Sequence, residues 1–78
     1  MKESQIRWAC RRGMLELDLM LEAYLDKGWP VCDDAAKLRF EILLDENDQD
    51  LFEWLMGRSL PEDATLQQAV RDVLAVLR

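Results

Sequence analysis

An enzyme needs a nucleophile or a tuned acid–base pair held in a pocket, and this sequence offers few candidates. It contains no histidine. What remains is a surplus of carboxylates and Cys10, whose neighbours Arg11 and Arg12 would favour the thiolate. Cys10 and Cys32 are too far apart for a C-x-x-C redox pair, and two thiols without histidine do not make a zinc site. Buried free thiols in a reducing compartment account for both cysteines, with an occasional disulfide between them as the alternative. No glycine-rich phosphate loop is present, because Gly13 stands alone and Gly28 and Gly57 fall where helices end. A thiol enzyme using Cys10 is therefore the weaker reading, and the chain is expected not to be an enzyme.

The run Arg11-Arg12-Gly13-Met14-Leu15-Glu16 has a different character. A helix drawn from Arg12 to Leu25 at 3.6 residues per turn makes Arg12 and Glu16 an i,i+4 pair. Gly13, Met20 and Ala23 lie on the same flank. Met14, Leu17, Leu21, Tyr24 and Leu25 form a separate apolar sector, while Leu15 and Leu19 point away from it beside Asp18 and Glu22. A glycine in a first turn costs roughly 0.5–1 kcal/mol against alanine. Its usual justification is a positive φ or the close approach of another backbone. A hinge carrying a surface ion pair worth about 0–1 kcal/mol and a docking site for a partner explain these residues equally well on physical grounds.

The elements that must position this stretch are all helical. Ser4 is expected to cap a short helix from Gln5 to about Cys10, with Ile6 and Trp8 as its apolar contacts. The second helix runs to about Asp26 and ends at Lys27-Gly28, with Trp29-Pro30 forbidding further helix. Asp33 or Asp34 caps a third helix to about Leu44, its apolar side drawn from Leu38, Phe40, Ile42, Leu43 and Leu44 and its flank from a Lys37–Glu41 pair. A fourth helix carries Leu51, Phe52, Trp54, Leu55 and Met56 and stops at Gly57. Its N-cap is either Asp50 paired with Glu53 or Asn47 paired with Asp50. Leu60-Pro61-Glu62-Asp63 opens the last helix, whose Leu66, Val70, Val73, Leu74 and Leu77 form one amphipathic stripe. Trp8 and Trp54 are expected in the core, and Trp29 over one end of the bundle. No segment alternates with period two. The fold expected is all-α, a compact bundle of about five helices forming a single domain over 1–78.

The 78 residues carry a net charge of −6, which argues against nucleic acid, where a basic footprint is expected. The charge is uneven. Residues 1–13 hold Lys2, Arg7, Arg11 and Arg12 against Glu3 alone. The middle of the chain concentrates Asp33, Asp34, Glu41, Asp45, Glu46, Asp48, Asp50 and Glu53 against Lys37 and Arg39. Such polarity can orient a protein partner, although solvated helix faces explain most of the acids. No apolar run reaches the ~20 residues that span a bilayer, and no signal-peptide core is present. The expectation is a cytoplasmic protein, not inserted in a membrane, that is a monomer or a weak homodimer.

The run Ile6-Arg7-Trp8-Ala9-Cys10-Arg11-Arg12-Gly13-Met14-Leu15-Glu16-Leu17-Asp18 resembles the signature of the SdhE family, the FAD assembly factors of succinate dehydrogenase. Its R-G-x-x-E core is matched by Arg12, Gly13 and Glu16. Asp48-Gln49-Asp50-Leu51-Phe52-Glu53-Trp54-Leu55 is similar to the family's D-x-D-L-F-x-W-L segment. The resemblance implies five helices and a non-catalytic role: binding the flavoprotein subunit of succinate dehydrogenase, and in some bacteria of fumarate reductase, and promoting covalent attachment of FAD to a histidine there. FAD is then the client's cofactor, with none bound stably by this chain. The same carry-over makes Arg12, Gly13 and Glu16 the docking surface, with Arg11 and Asp18 on its rim. Asp48, Asp50 and Trp54 are explained first as two capping acids and a core tryptophan. A small helical adaptor of the antitoxin type is the alternative function.

Overall fold

The computed structural model describes residues 2–77. Five helices follow in order: α1 Glu3–Ala9, α2 Leu15–Lys27, α3 Asp34–Leu44, α4 Asp48–Leu55 and α5 Ala64–Val76, with a 3₁₀ turn at Trp29–Val31 between α2 and α3. The described residues contain no strand. The expected all-α bundle is thus the architecture observed.

Each boundary has a local chemical cause. Asp33 caps α3 by accepting the Ala36 N–H at 2.9 Å, and Asp63 caps α5 by accepting the Leu66 N–H at 3.0 Å. At the start of α4 the pair is Asn47 with Asp50, the second of the two expected possibilities. Asn47 Oδ1 accepts the Asp50 N–H, and Asn47 Nδ2 donates to Asp50 Oδ2, both at 2.9 Å. Helix α4 ends at Gly57, where φ is +78°. The Gly57 N–H donates to the Trp54 carbonyl at 3.2 Å and the Arg58 N–H to the Glu53 carbonyl at 2.9 Å, the paired bonds of a Schellman stop.

Two ends depart from expectation. Lys2, not Ser4, precedes the first turn of α1, and Gln5 Oε1 accepts the Lys2 N–H at 3.0 Å, so Gln5 closes the helix start from within. At the end of α2, Gly28 is not a left-handed stop; its φ is −92° and the chain continues into the 3₁₀ turn. Glycine is needed there for space. A Cβ at Gly28 would lie 2.6 Å from two ring carbons of Tyr24 and 3.0 Å from a methyl of Val76. Gly28→Ala is accordingly expected to destabilise the fold by about 1–3 kcal/mol, the cost of overpacking, which chemical denaturation will read as a lower midpoint.

The core is assembled from one sector of each helix. Ile6 and Cys10, Leu17, Leu21, Tyr24 and Leu25, Phe40, Leu43 and Leu44, Leu51, Trp54 and Leu55, and Ala69, Val70 and Val73 form one buried cluster. Helix α5 packs against α2, α3 and α4. Arg39 Nε donates to Asp72 Oδ2 at 3.0 Å, tying α3 to α5 at the rim. Trp29 is half-buried over Phe40, with ring centroids 5.9 Å apart, and so covers an end of the core as expected.

Trp8 is the clear exception, with 75% of its surface exposed. Ile6 and Cys10, four residues apart, take the inner face of α1. Trp8 lies about 200° round the helix from each of them, at 100° per residue, and so faces outward. Leu38 and Ile42 are also exposed, so the buried side of α3 is narrower than its apolar sequence.

Candidate functional site

The stretch expected to carry function is not the first turn of a helix. It is the loop joining α1 to α2, and Gly13 lies within it at φ +84°. The i,i+4 pairing of Arg12 with Glu16 therefore does not occur. The left-handed backbone at Gly13 disfavours any residue with a Cβ, although a Cβ would meet nothing within 4 Å. Of glycine's two justifications, positive φ holds, and the space beside it is open.

Arg12 turns inward. Its side chain is only 16% exposed, and Nη1 donates to Asp48 Oδ1 at 3.2 Å. Nη2 donates to the main-chain carbonyl of Leu44, the last residue of α3. A helix C-terminus leaves carbonyls without intrahelical partners and carries partial negative charge, so a guanidinium is well matched to it. Asp48 is the first residue of α4. One side chain thus links the α1–α2 loop to the junction between α3 and α4. The two sequence runs read separately, around Arg12 and around Asp48, meet at this contact.

Asp18 holds the loop from the other side. Its Oδ1 accepts the Arg12 N–H at 2.7 Å and its Oδ2 accepts the Gly13 N–H at 3.3 Å. The carboxylate, half-buried on the first turn of α2, satisfies two loop amides and so fixes the course of the loop at Gly13. The family resemblance implies a place for Asp18 on the rim of a docking surface; in the structure its carboxylate anchors the loop.

What remains on the surface is Arg11, Gly13 and Glu16, all exposed. Glu16 occupies the first turn of α2, where negative charge suits the helix dipole. It makes no ion pair or hydrogen bond among the described residues. Leu15 and Leu19 flank it at 75% and 57% exposure, as the apolar pattern of α2 required. The five residues expected to form one surface are therefore divided: Arg12 and Asp18 shape the loop from beneath, while Arg11, Gly13 and Glu16 face solvent.

The thiol is not poised for chemistry. Cys10 is fully buried, and burial pushes it up to about 11 against the opposing effect of the Arg12 guanidinium. Both cysteines are free. Cys10 is expected to resist alkylation at pH 8 in the folded protein and to react once denaturant is added. Because its folded pKa lies above the ordinary 9.0, the stabilisation associated with its neutral form is complete below pH 9 and disappears as pH rises through about 11. Melting temperatures across that range will register the loss.

Among the described residues no cluster of three His, Cys, Asp or Glu side chains could hold a metal ion, and no helix is long and apolar enough to cross a membrane. An open cleft of about 360 Å³ lies along α1. That is near the lower limit of roughly 300–1,000 Å³ for small-ligand pockets, and its lining is Ser4, Arg7, Trp8 and Arg11.

A five-helix bundle whose distinctive feature is a clamped, glycine-containing interhelical loop defines a small all-α protein with an exposed charged surface and a buried thiol. The chain belongs to the Sdh5 family, whose model is described as "Flavinator of succinate dehydrogenase" and matches residues 4–77. It is similar to proteins named FAD assembly factor SdhE. That of Pseudomonas aeruginosa is 44% identical over 70 residues, covering 90% of this chain and 83% of the relative. That of Idiomarina loihiensis is 41% identical over 71 residues, 91% and 79% of the two chains. That of Shewanella oneidensis is 40% identical over 73 residues, 94% and 89%.

Proposed function

We propose that this chain is a non-catalytic assembly factor. It binds the flavoprotein subunit of succinate dehydrogenase, with that of fumarate reductase as a second client, and promotes covalent attachment of FAD there. The observation that carries this reading is family membership over nearly the whole chain, together with a loop surface that offers docking groups and no reacting ones. In this reading FAD is the client's cofactor, the bond forms between flavin and flavoprotein, and the chain works by preferring the client conformation competent for attachment. A binding protein shifts such an equilibrium only by its differential affinity for the two conformations, and it needs no nucleophile to do so. The buried Cys10 fits this division of labour.

Arg11, Gly13 and Glu16 make the contact in this proposal, with Arg12 and Asp18 as the positioning residues beneath. Glu16, exposed and unpaired, is available for a charge-assisted bond to a cationic group of the client. The low relief at Gly13 admits a neighbouring backbone.

The test is in-gel flavin fluorescence of the denatured flavoprotein subunit, expressed with and without this chain. Fluorescence that depends on the chain is the expected result. Equal fluorescence in both conditions, with altered growth or cell shape on loss of the chain, would favour the antitoxin-type adaptor instead.

A further inference from the structure

Trp8 is the least expected feature of the surface. A three-quarters exposed indole on a seven-residue helix needs a reason, and its surroundings supply one. Ser4, Arg7 and Trp8 on one face of α1, with Arg11 just beyond its end, line the 360 Å³ cleft. Arg11 has no ion pair among the described residues. Arg7 lies 3.3 Å from Asp26 Oδ1, but both side chains are at least half exposed, and exposed pairs of this kind exchange partners at little cost. In a chain of net charge −6 this face is a basic island.

We propose that this face of α1 is a second docking contact, occupied by an acidic segment of the flavoprotein client in which a carboxylate adjoins an apolar side chain. The inference rests on the client reading given above. Charge selects the occupant. The acidic middle of this chain repels acidic segments, while the cleft presents two guanidinium groups, the side chains that best match carboxylates in bidentate geometry. The indole between them supplies apolar area on a rigid side chain, and tryptophan and arginine are the residues most enriched among those that dominate binding energy. The cleft is open and shallow, which suits an extended segment better than an enclosed small molecule. Arg11 also belongs to the α1–α2 loop, so the face continues into the Gly13 and Glu16 surface. One partner can engage both.

The test is the dissociation constant of the purified full chain for the purified flavoprotein subunit, measured over a range of salt concentrations. Trp8→Ala is expected to weaken binding about tenfold or more without lowering the melting temperature, since the indole is outside the core. Trp8→Phe is expected to restore most of the affinity. Arg7→Glu is expected to weaken binding and flatten its salt dependence. Wild-type binding with Trp8→Ala and Arg7→Glu both within about twofold of it would overturn this inference and leave the client reading intact. A wild-type chain that does not bind at all would overturn both. Sedimentation of the chain alone supplies the remaining arm: a self-association abolished by Trp8→Ala would assign the face to a second copy and overturn the proposal.

Discussion

Gly13→Arg is expected to abolish flavinylation of the client while leaving the helical circular dichroism intact. The backbone at Gly13 is left-handed, and an L-residue forced into that conformation costs about 1–2 kcal/mol. At roughly 4–8 °C per kcal/mol for a domain of this size, the melting temperature falls but the protein still folds at growth temperature. Folding survives because nothing lies within 4 Å of where the new Cβ would be, so the added side chain stands in open space. Loss of function would then come from the long cationic side chain over the docking surface. Gly13→Asn separates the two effects, since asparagine tolerates the left-handed region better than most residues and projects little. It is expected to retain most flavinylation. A Gly13→Arg protein that is grossly unfolded would assign the glycine to folding alone.

The second large effect is a contrast between Arg12 and Glu16, which the bare motif treats as equivalent. Arg12→Ala removes the donors to the Leu44 carbonyl and to Asp48 and leaves a half-buried carboxylate without its partner. Hydrogen bonds involving charged groups contribute about 1.5–3 kcal/mol each and do not add fully, so a loss of about 2–3 kcal/mol is expected. That corresponds to a fall in melting temperature on the order of 10–20 °C. Lysine will not rescue it, because one ammonium cannot reproduce the planar fork that reaches two acceptors. Glu16→Ala is expected to leave stability within about 0.5 kcal/mol, as substitutions at exposed and unpaired positions usually do, and yet to lose flavinylation. Thermal melts of both variants, read beside flavin fluorescence, check the pair. Equal stability in the two would contradict the inward role of Arg12.

The difference between these residues also marks how far the sequence could be read. Helix count, an aspartate cap on α3, the Gly57 stop and the α5 stripe from Leu66 to Leu74 were legible because each depends on residues within one or two turns of each other. Leu77 falls beyond the end of α5 and is exposed. The resemblance to the SdhE family was legible from two short runs, and family membership bears it out. The direction of Arg12 was not legible. Its partners lie 32 and 36 residues away, and extending the helical period backwards through Gly13 gave it a false neighbour in Glu16. A glycine at a helix start was itself the warning, since positive φ ends helical spacing. Trp8 was misplaced for a simpler reason: large apolar side chains are usually core, but Ile6 and Cys10 had already taken the inner face of α1. The bonding of Asp18 to the loop was not legible either, because a bond to main-chain amides leaves no trace in side-chain spacing.

The central claim is that the exposed part of the loop surface, and not the fold as a whole, promotes FAD attachment. Reconstitution tests it most directly: purified flavoprotein subunit lacking flavin, FAD, and either wild-type chain or Glu16→Ala, with covalent flavin followed over time. The expected result is faster or more complete attachment with wild-type chain and a background rate with Glu16→Ala of unchanged melting temperature. Attachment by Glu16→Ala at the wild-type rate would contradict the account.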